Sequence, residues 1–180
     1  MCYTHGMEQL WAPWRMAYIN SGSEEQGCIF CTKPADGHDE EHYILYRSQH
    51  CFVMLNIFPY NNGHLMIAPF QHVPSIEELD AATLTDLMTT AQLCLRAFHL
   101  AMQPHGFNMG INQGKVAGAG VADHMHFHIV PRWNGDTNFM PVLADVKVMP
   151  DYLRNTYQQL RQALIALTNP LLQSSQEQAQ

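Results

Sequence analysis

His124, His126 and His128 alternate with Met125, Phe127 and Ile129. Side chains of an extended strand point to opposite faces in turn, so this pattern predicts a strand with three imidazoles on one face. Successive rings on that face are about 6.5–7 Å apart. The apolar face can seat the strand on a core while the histidine face opens to a site. Packing alone would favour Val or Ile at these positions, and every buried imidazole must satisfy two ring nitrogens. The strand therefore reads as a supplier of metal ligands, or of a nucleophile with supporting acids. Gly114, Gly118 and Gly120 stand just before it. They free the backbone to approach a ligand and to aim N–H groups at an anion, which suits phosphoryl chemistry.

The remaining patterns fit around that strand. HYILYRS and CFVMLNIF read as strands joined tightly at Gln49-His50, and HLMIAPF, after the PYNNG turn, as a third. From Thr83 to Gln103 apolar residues recur at helical spacing (Leu84, Leu87, Met88, Ala91, Leu95, Phe98, Met102), ended by Pro104 and Gly106. FNMGIN predicts a fourth strand, HMHFHIVPRW the fifth, and Pro150 to Leu167 a last helix. Hairpin-linked strands with helices set apart imply an antiparallel α+β domain.

At 180 residues and 47% hydrophobic the chain can bury one core. No apolar stretch approaches the roughly 20 residues that cross a bilayer, and the N-terminus lacks a secretory pattern, so a cytoplasmic protein without membrane contact is expected. A net charge of −7 argues against long nucleic acid, though not against a small nucleotide. Cys28-Ile29-Phe30-Cys31 has the spacing at which two thiolates meet one zinc. A redox pair is the competing reading, but it should open a helix, and Pro34 with Gly37 argue against a long one there. With no second such pair, histidines must complete a tetrahedral site. Cys94 reads as core filling.

His124-Met125-His126-Phe127-His128-Ile129-Val130 resembles the His-φ-His-φ-His-φ-φ signature of the histidine triad superfamily. CIFC, LNIFPYNNGHLMIAPFQHV and INQGKVAGAG agree with that family in order and spacing, and the similarity covers about residues 24–133. LWAPWRMAYI before it and PRWNGDTNFMPVLADVKVMP after it look like the branch containing diadenosine tetraphosphate phosphorylases. The chain divides accordingly into an arm (1–23), a histidine triad domain (24–133) and an extension with a helix (134–180).

The resemblance implies the family fold, an antiparallel sheet of about five strands with two main helices, and a homodimer pairing the helix and fourth strand of each subunit. It makes His126 the nucleophile toward an α-phosphorus, with its tautomer held by the His124 carbonyl. His128 would donate to a phosphate oxygen, and His64 matches a further family histidine near the phosphates. Asn112 and the amides of residues 118–121 would position the phosphate chain, Gly118, Gly120 and Val121 among them. Asn56 stands where many members carry a ribose-binding aspartate; its carbonyl can still accept, without charge. Ile57 and Phe58 would line the base pocket. Gly120-Val121 departs from the Gln-Ser/Thr of many members, so those side-chain contacts are missing. Metal-containing members imply His72 and His124 as partners of Cys28 and Cys31 in a structural zinc site, with no organic cofactor. Trp11 and Trp14 read first as packing across a neighbouring subunit or onto the sheet, with stacking on a second adenine as the alternative; Arg15, Arg132, Trp133 and Lys147 are candidates to approach the polyphosphate tail.

The implied reaction is cleavage of a dinucleoside polyphosphate through a nucleotidyl-histidine, with phosphate slightly preferred over water as acceptor. Rival readings are a nucleoside phosphoramidate hydrolase, a triad holding a catalytic metal, and a non-catalytic nucleotide-binding protein.

Overall fold

A computed structural model describes residues 27–137 and 151–169. The predicted arm, with Trp11, Trp14 and Arg15, and Lys147 lie outside the described residues. Helix α1 (Ile29–Asp36) is followed by β1 (Ile44–Arg47), β2 (Cys51–Leu55), β3 (Leu65–Pro69), helix α2 (Ala81–Ala101), β4 (Gly106–Ile111), β5 (Phe127–Arg132) and helix α3 (Leu153–Thr168). The five strands form one antiparallel sheet in the order β1-β2-β3-β5-β4. This is the expected α+β arrangement, with a short third helix, α1, added to the two main ones.

The two faces of the sheet have separate duties. Leu65 pairs with Ile129 and Ile67 with Phe127, and these side chains join Cys51, Val53 and Leu55 in a core closed by Leu87, Ala91, Cys94 and Phe98 of α2. Tyr157, Leu160, Ala163 and Leu164 of α3 complete it, so the last helix packs into the same core. Burying one such Leu, Ile or Phe contributes about 1.5–3 kcal/mol. Between these pairs Met66 stands opposite His128, which puts both on the other face. There Phe30, Ile44, Phe52, Met54, Met66 and Ala68 form a second cluster, whose Phe30 touches the His124 and His126 rings.

Local chemistry sets the boundaries. Asp80 caps α2 by accepting from the Thr83 N–H at 2.7 Å. The Ser48 N–H closes the β1–β2 hairpin on Cys51 O at 2.8 Å, and Asp86 of α2 accepts from the His50 N–H. β2 stops at Leu55 because Asn56 Oδ1 takes the Phe58 N–H at 2.9 Å, replacing a ladder bond with a turn. β5 begins only at Phe127, so of the three histidines only His128 lies within it. The Met125 N–H is drawn instead to Val73 O at 2.7 Å.

α1 was not foreseen from the sequence. Pro34 lies within it, in its last turn, and Gly37 ends it in the left-handed region. Gly63 is the tightest point of the PYNNG turn. Its φ is +78°, and a Cβ there would meet Phe98 Cε1 at 3.1 Å and Pro131 Cγ at 3.3 Å. Gly63→Ala should therefore lower the unfolding free energy by about 1–3 kcal/mol in urea titration. An unchanged midpoint would contradict this account of the turn.

Candidate active site and metal centre

Backbone partners fix the proton positions on the triad. His126 Nδ1 lies 3.0 Å from the carbonyl oxygen of His124. A carbonyl only accepts, so the neutral ring carries its proton on Nδ1 and a lone pair on Nε2. Among the described residues Nε2 has no hydrogen-bond partner. Burial pushes this imidazole below its ordinary pKa, against the opposing pull of the backbone bond, and so favours the neutral ring.

His128 is set the opposite way. The Tyr60 N–H donates to His64 Nδ1 at 3.1 Å, which leaves the His64 proton on Nε2. That Nε2–H donates to His128 Nδ1 at 2.9 Å, so neutral His128 carries its own proton on Nε2. Asn56 supports the relay: with Oδ1 taken by the Phe58 N–H, its Nδ2 points at His64 Nδ1, 3.3 Å away. The His126 and His128 rings are 4.7 Å apart between centroids. One offers a lone pair and its neighbour an N–H donor. That pairing suits nucleophilic attack with hydrogen-bond stabilisation of a leaving oxygen.

His124 faces a separate centre. Its Nε2–H donates to Pro69 O at 2.9 Å, which frees the Nδ1 lone pair. Nδ1 lies 3.3 Å from Cys28 Sγ, 3.5 Å from Cys31 Sγ and 3.2 Å from His72 Nδ1, and Cys31 Sγ is 3.3 Å from His72 Nδ1. The four donors lie within 4.8 Å of one another. A tetrahedral zinc with bonds of about 2.0–2.3 Å has donor-to-donor edges of about 3.3–3.8 Å, so the donor set and its spacing fit such an ion. Burial and the neighbouring Cys28 thiol push the Cys31 thiol above its ordinary pKa; a divalent cation reverses that tendency. Cys28 does open a helix, as a redox pair would, so the helix does not separate the two readings. Two imidazoles converge on the thiols, a donor set that fits a metal ion.

The other predicted positions surround the triad. Gly110 pairs with His128, so no β4 side chain crowds that ring, and Asn112 follows the last β4–β5 pair, Ile111 with Phe127. Ile57 and Phe58 are 46% and 48% exposed, leaving an open apolar margin beyond Asn56. In the glycine loop the N–H groups of Gly118 and Ala119 close on Lys115 O and Gly114 O. The amides of Gly120 and Val121 make no hydrogen bond among the described residues. Arg132 is engaged by Asp136 and Asn108 on the far end of β5, and the Trp133 indole N–H donates to Met102 O. Neither is aimed at the triad.

Two contributors were missed in the sequence. The Tyr60 backbone N–H fixes a tautomer, and no side-chain pattern announces such a donor. Phe30 stacks on His126 at 4.7 Å with the planes 29° apart, a contact worth about 0.5–1.5 kcal/mol. Its place between two cysteines was the available signal.

Comparison with known proteins agrees with this geometry. The family description "HIT domain" matches residues 38–135. The chain is 36% identical over 157 residues to a Mycobacterium tuberculosis protein named AP-4-A phosphorylase, covering 83% of this chain and 80% of that one. A zinc-bound histidine triad family protein from Mycobacterium smegmatis superposes with a TM-score of 0.64 at 27% identity, over 78% of this chain and 95% of that one. A histidine triad nucleotide-binding protein from Sulfolobus tokodaii gives the same TM-score at 25% identity, over 81% and 97% of the two chains. The chain belongs to the HIT, or histidine triad, family.

Proposed function

We propose that this protein cleaves a dinucleoside polyphosphate of the diadenosine tetraphosphate type at the α-phosphorus, with phosphate ahead of water as acceptor. The observation that carries the reading is the His126 Nδ1–H on the His124 carbonyl, which presents Nε2 as a nucleophile. The likeness to an AP-4-A phosphorylase supports the choice of substrate.

In the first displacement the His126 Nε2 lone pair forms a bond to the α-phosphorus, and the bond to the bridging oxygen breaks. His128 Nε2–H donates a hydrogen bond to the departing phosphate oxygen, which leaves as an anion with the bond's electron pair. In the second, phosphate or water attacks the adduct, the bond from phosphorus to Nε2 breaks and returns its electron pair to His126, and the attacking oxygen's proton passes to solvent. Two inversions give net retention at phosphorus. Asn56 and Ile57 hold the nucleoside, Asn112, Gly118, Gly120 and Val121 the phosphates, and His64 orients His128.

The same reading gives Cys28, Cys31, His72 and His124 a structural zinc, closed to substrate by its four protein ligands. It places the chain in the cytoplasm; no helix among the described residues is long and apolar enough to cross a membrane. It also makes the protein a homodimer through α2 and β4, where Met88, Leu100 and Met109 are exposed. The histidine triad unit spans 24–133, with an arm and an extension on either side.

Incubation with diadenosine tetraphosphate, with and without inorganic phosphate, tests the reaction. ATP plus ADP formed only with phosphate is the expected result, lost by a factor of about 10³ or more in His126→Ala. AMP plus ATP without phosphate would make the enzyme a hydrolase, and binding without turnover would overturn the proposal. Metal analysis tests the second centre: about one zinc per chain, lost with a fall in Tm in Cys31→Ser and His72→Ala, and retained in His126→Ala. Loss of zinc from His126→Ala would place the metal on the triad instead.

A further inference from the structure

Phe30 occupies a position that neither the metal centre nor the nucleophile accounts for by itself. It lies between the two thiols in the first turn of α1 and is 1% exposed. Its ring touches both neighbouring histidines, with centroids 5.3 Å from His124 and 4.7 Å from His126, and Phe52 stands behind it at 6.4 Å. Thus a single side chain spans the gap from a metal-ligand histidine to the nucleophile.

The hydrogen bond to the His124 carbonyl fixes only one atom of the His126 ring. With that atom held, the imidazole can still swing about it. A phenyl face lying against the ring blocks the swing and so sets the direction of Nε2. The phenyl is itself placed by α1, an eight-residue helix with no side-chain cap at its N-terminus. What ties that end down is the approach of Cys28 and Cys31 to His72 and His124.

We infer that Phe30 is a positioning residue for His126, and that the cysteine clip acts on the nucleophile through this ring. The inference rests on the proposed role of His126. It gives the metal a bearing on catalysis without contact with substrate: loss of the ion loosens α1, and the phenyl no longer holds the imidazole.

The test is the proton shift of His126 Cε1–H, which a stacked phenyl moves upfield, read with zinc content and steady-state kinetics. Zinc-loaded Phe30→Leu should keep its metal, lose the upfield shift and fall about tenfold or more in kcat, with KM changed by less than about threefold. Chelation of the wild type should move the same signal to the same place, and chelation of Phe30→Leu should add nothing. Phe30→Met, which keeps volume without a ring plane, should behave like Phe30→Leu and serves if that variant fails to fold. Wild-type kcat in a zinc-loaded variant, or a His126 signal unmoved by chelation, would overturn the inference. Loss of zinc from both variants would also overturn it, since the ring would then build the clip rather than carry its effect. The spectra need no nucleotide, so an inactive wild type would refute the reaction and leave this coupling standing.

Discussion

The carbonyl of His124 is the contact on which the rest of the site depends. Through it the backbone takes the Nδ1 proton of His126 and leaves Nε2 with its lone pair. The same residue sends its ring the other way, toward Cys28, Cys31 and His72. One residue therefore serves His126 with its main chain and the Cys28, Cys31 and His72 cluster with its side chain. Its own position is fixed by Pro69 O, and that of the following residue by Val73 O. The stretch leaving β3 thus holds the stretch entering β5 at the point where proton positions matter.

The sheet makes this possible by separating duties. Its helix-covered face carries the main core, with Leu55, Leu65, Ile67 and Ile129 almost wholly excluded from solvent. The opposite face needs only the small cluster around Phe52 and Met66, which leaves room for polar rings. Buried imidazoles are costly unless their nitrogens are engaged. Here the engagements are directional: the Tyr60 N–H starts a relay through His64 to His128, while the His124 carbonyl starts the other. Opposite tautomers on adjacent rings follow from one backbone donor and one backbone acceptor.

Much of this was legible in the sequence because it rests on periodicity and on paired residue types. The alternation from His124 to Ile129 placed the imidazoles on one face, and the helical spacing through Leu87, Ala91 and Phe98 placed α2 on the other. The four members of the Cys/His cluster came from the Cys28–Cys31 spacing and the family resemblance. What escaped was set by the backbone in three dimensions. Pro34 and Gly37 argued against a long helix there, and the one that forms is short, with Pro34 in the last of its two turns. The Tyr60 N–H and the closure of the glycine loop by Gly118 and Ala119 depend on turn geometry that residue types do not specify. Phe30 stands between the cysteines in the sequence, and only the fold brings its face onto His126.

The most direct measurement of the central claim is the capture of the covalent adduct. Diadenosine tetraphosphate labelled at the α-phosphorus is mixed with the protein and quenched in alkali within the first turnover. The digest is then searched for the label. The account predicts an acid-labile label on the peptide carrying His126. A competent enzyme that releases labelled nucleotide with no protein-bound label, or with label on another residue, would contradict it.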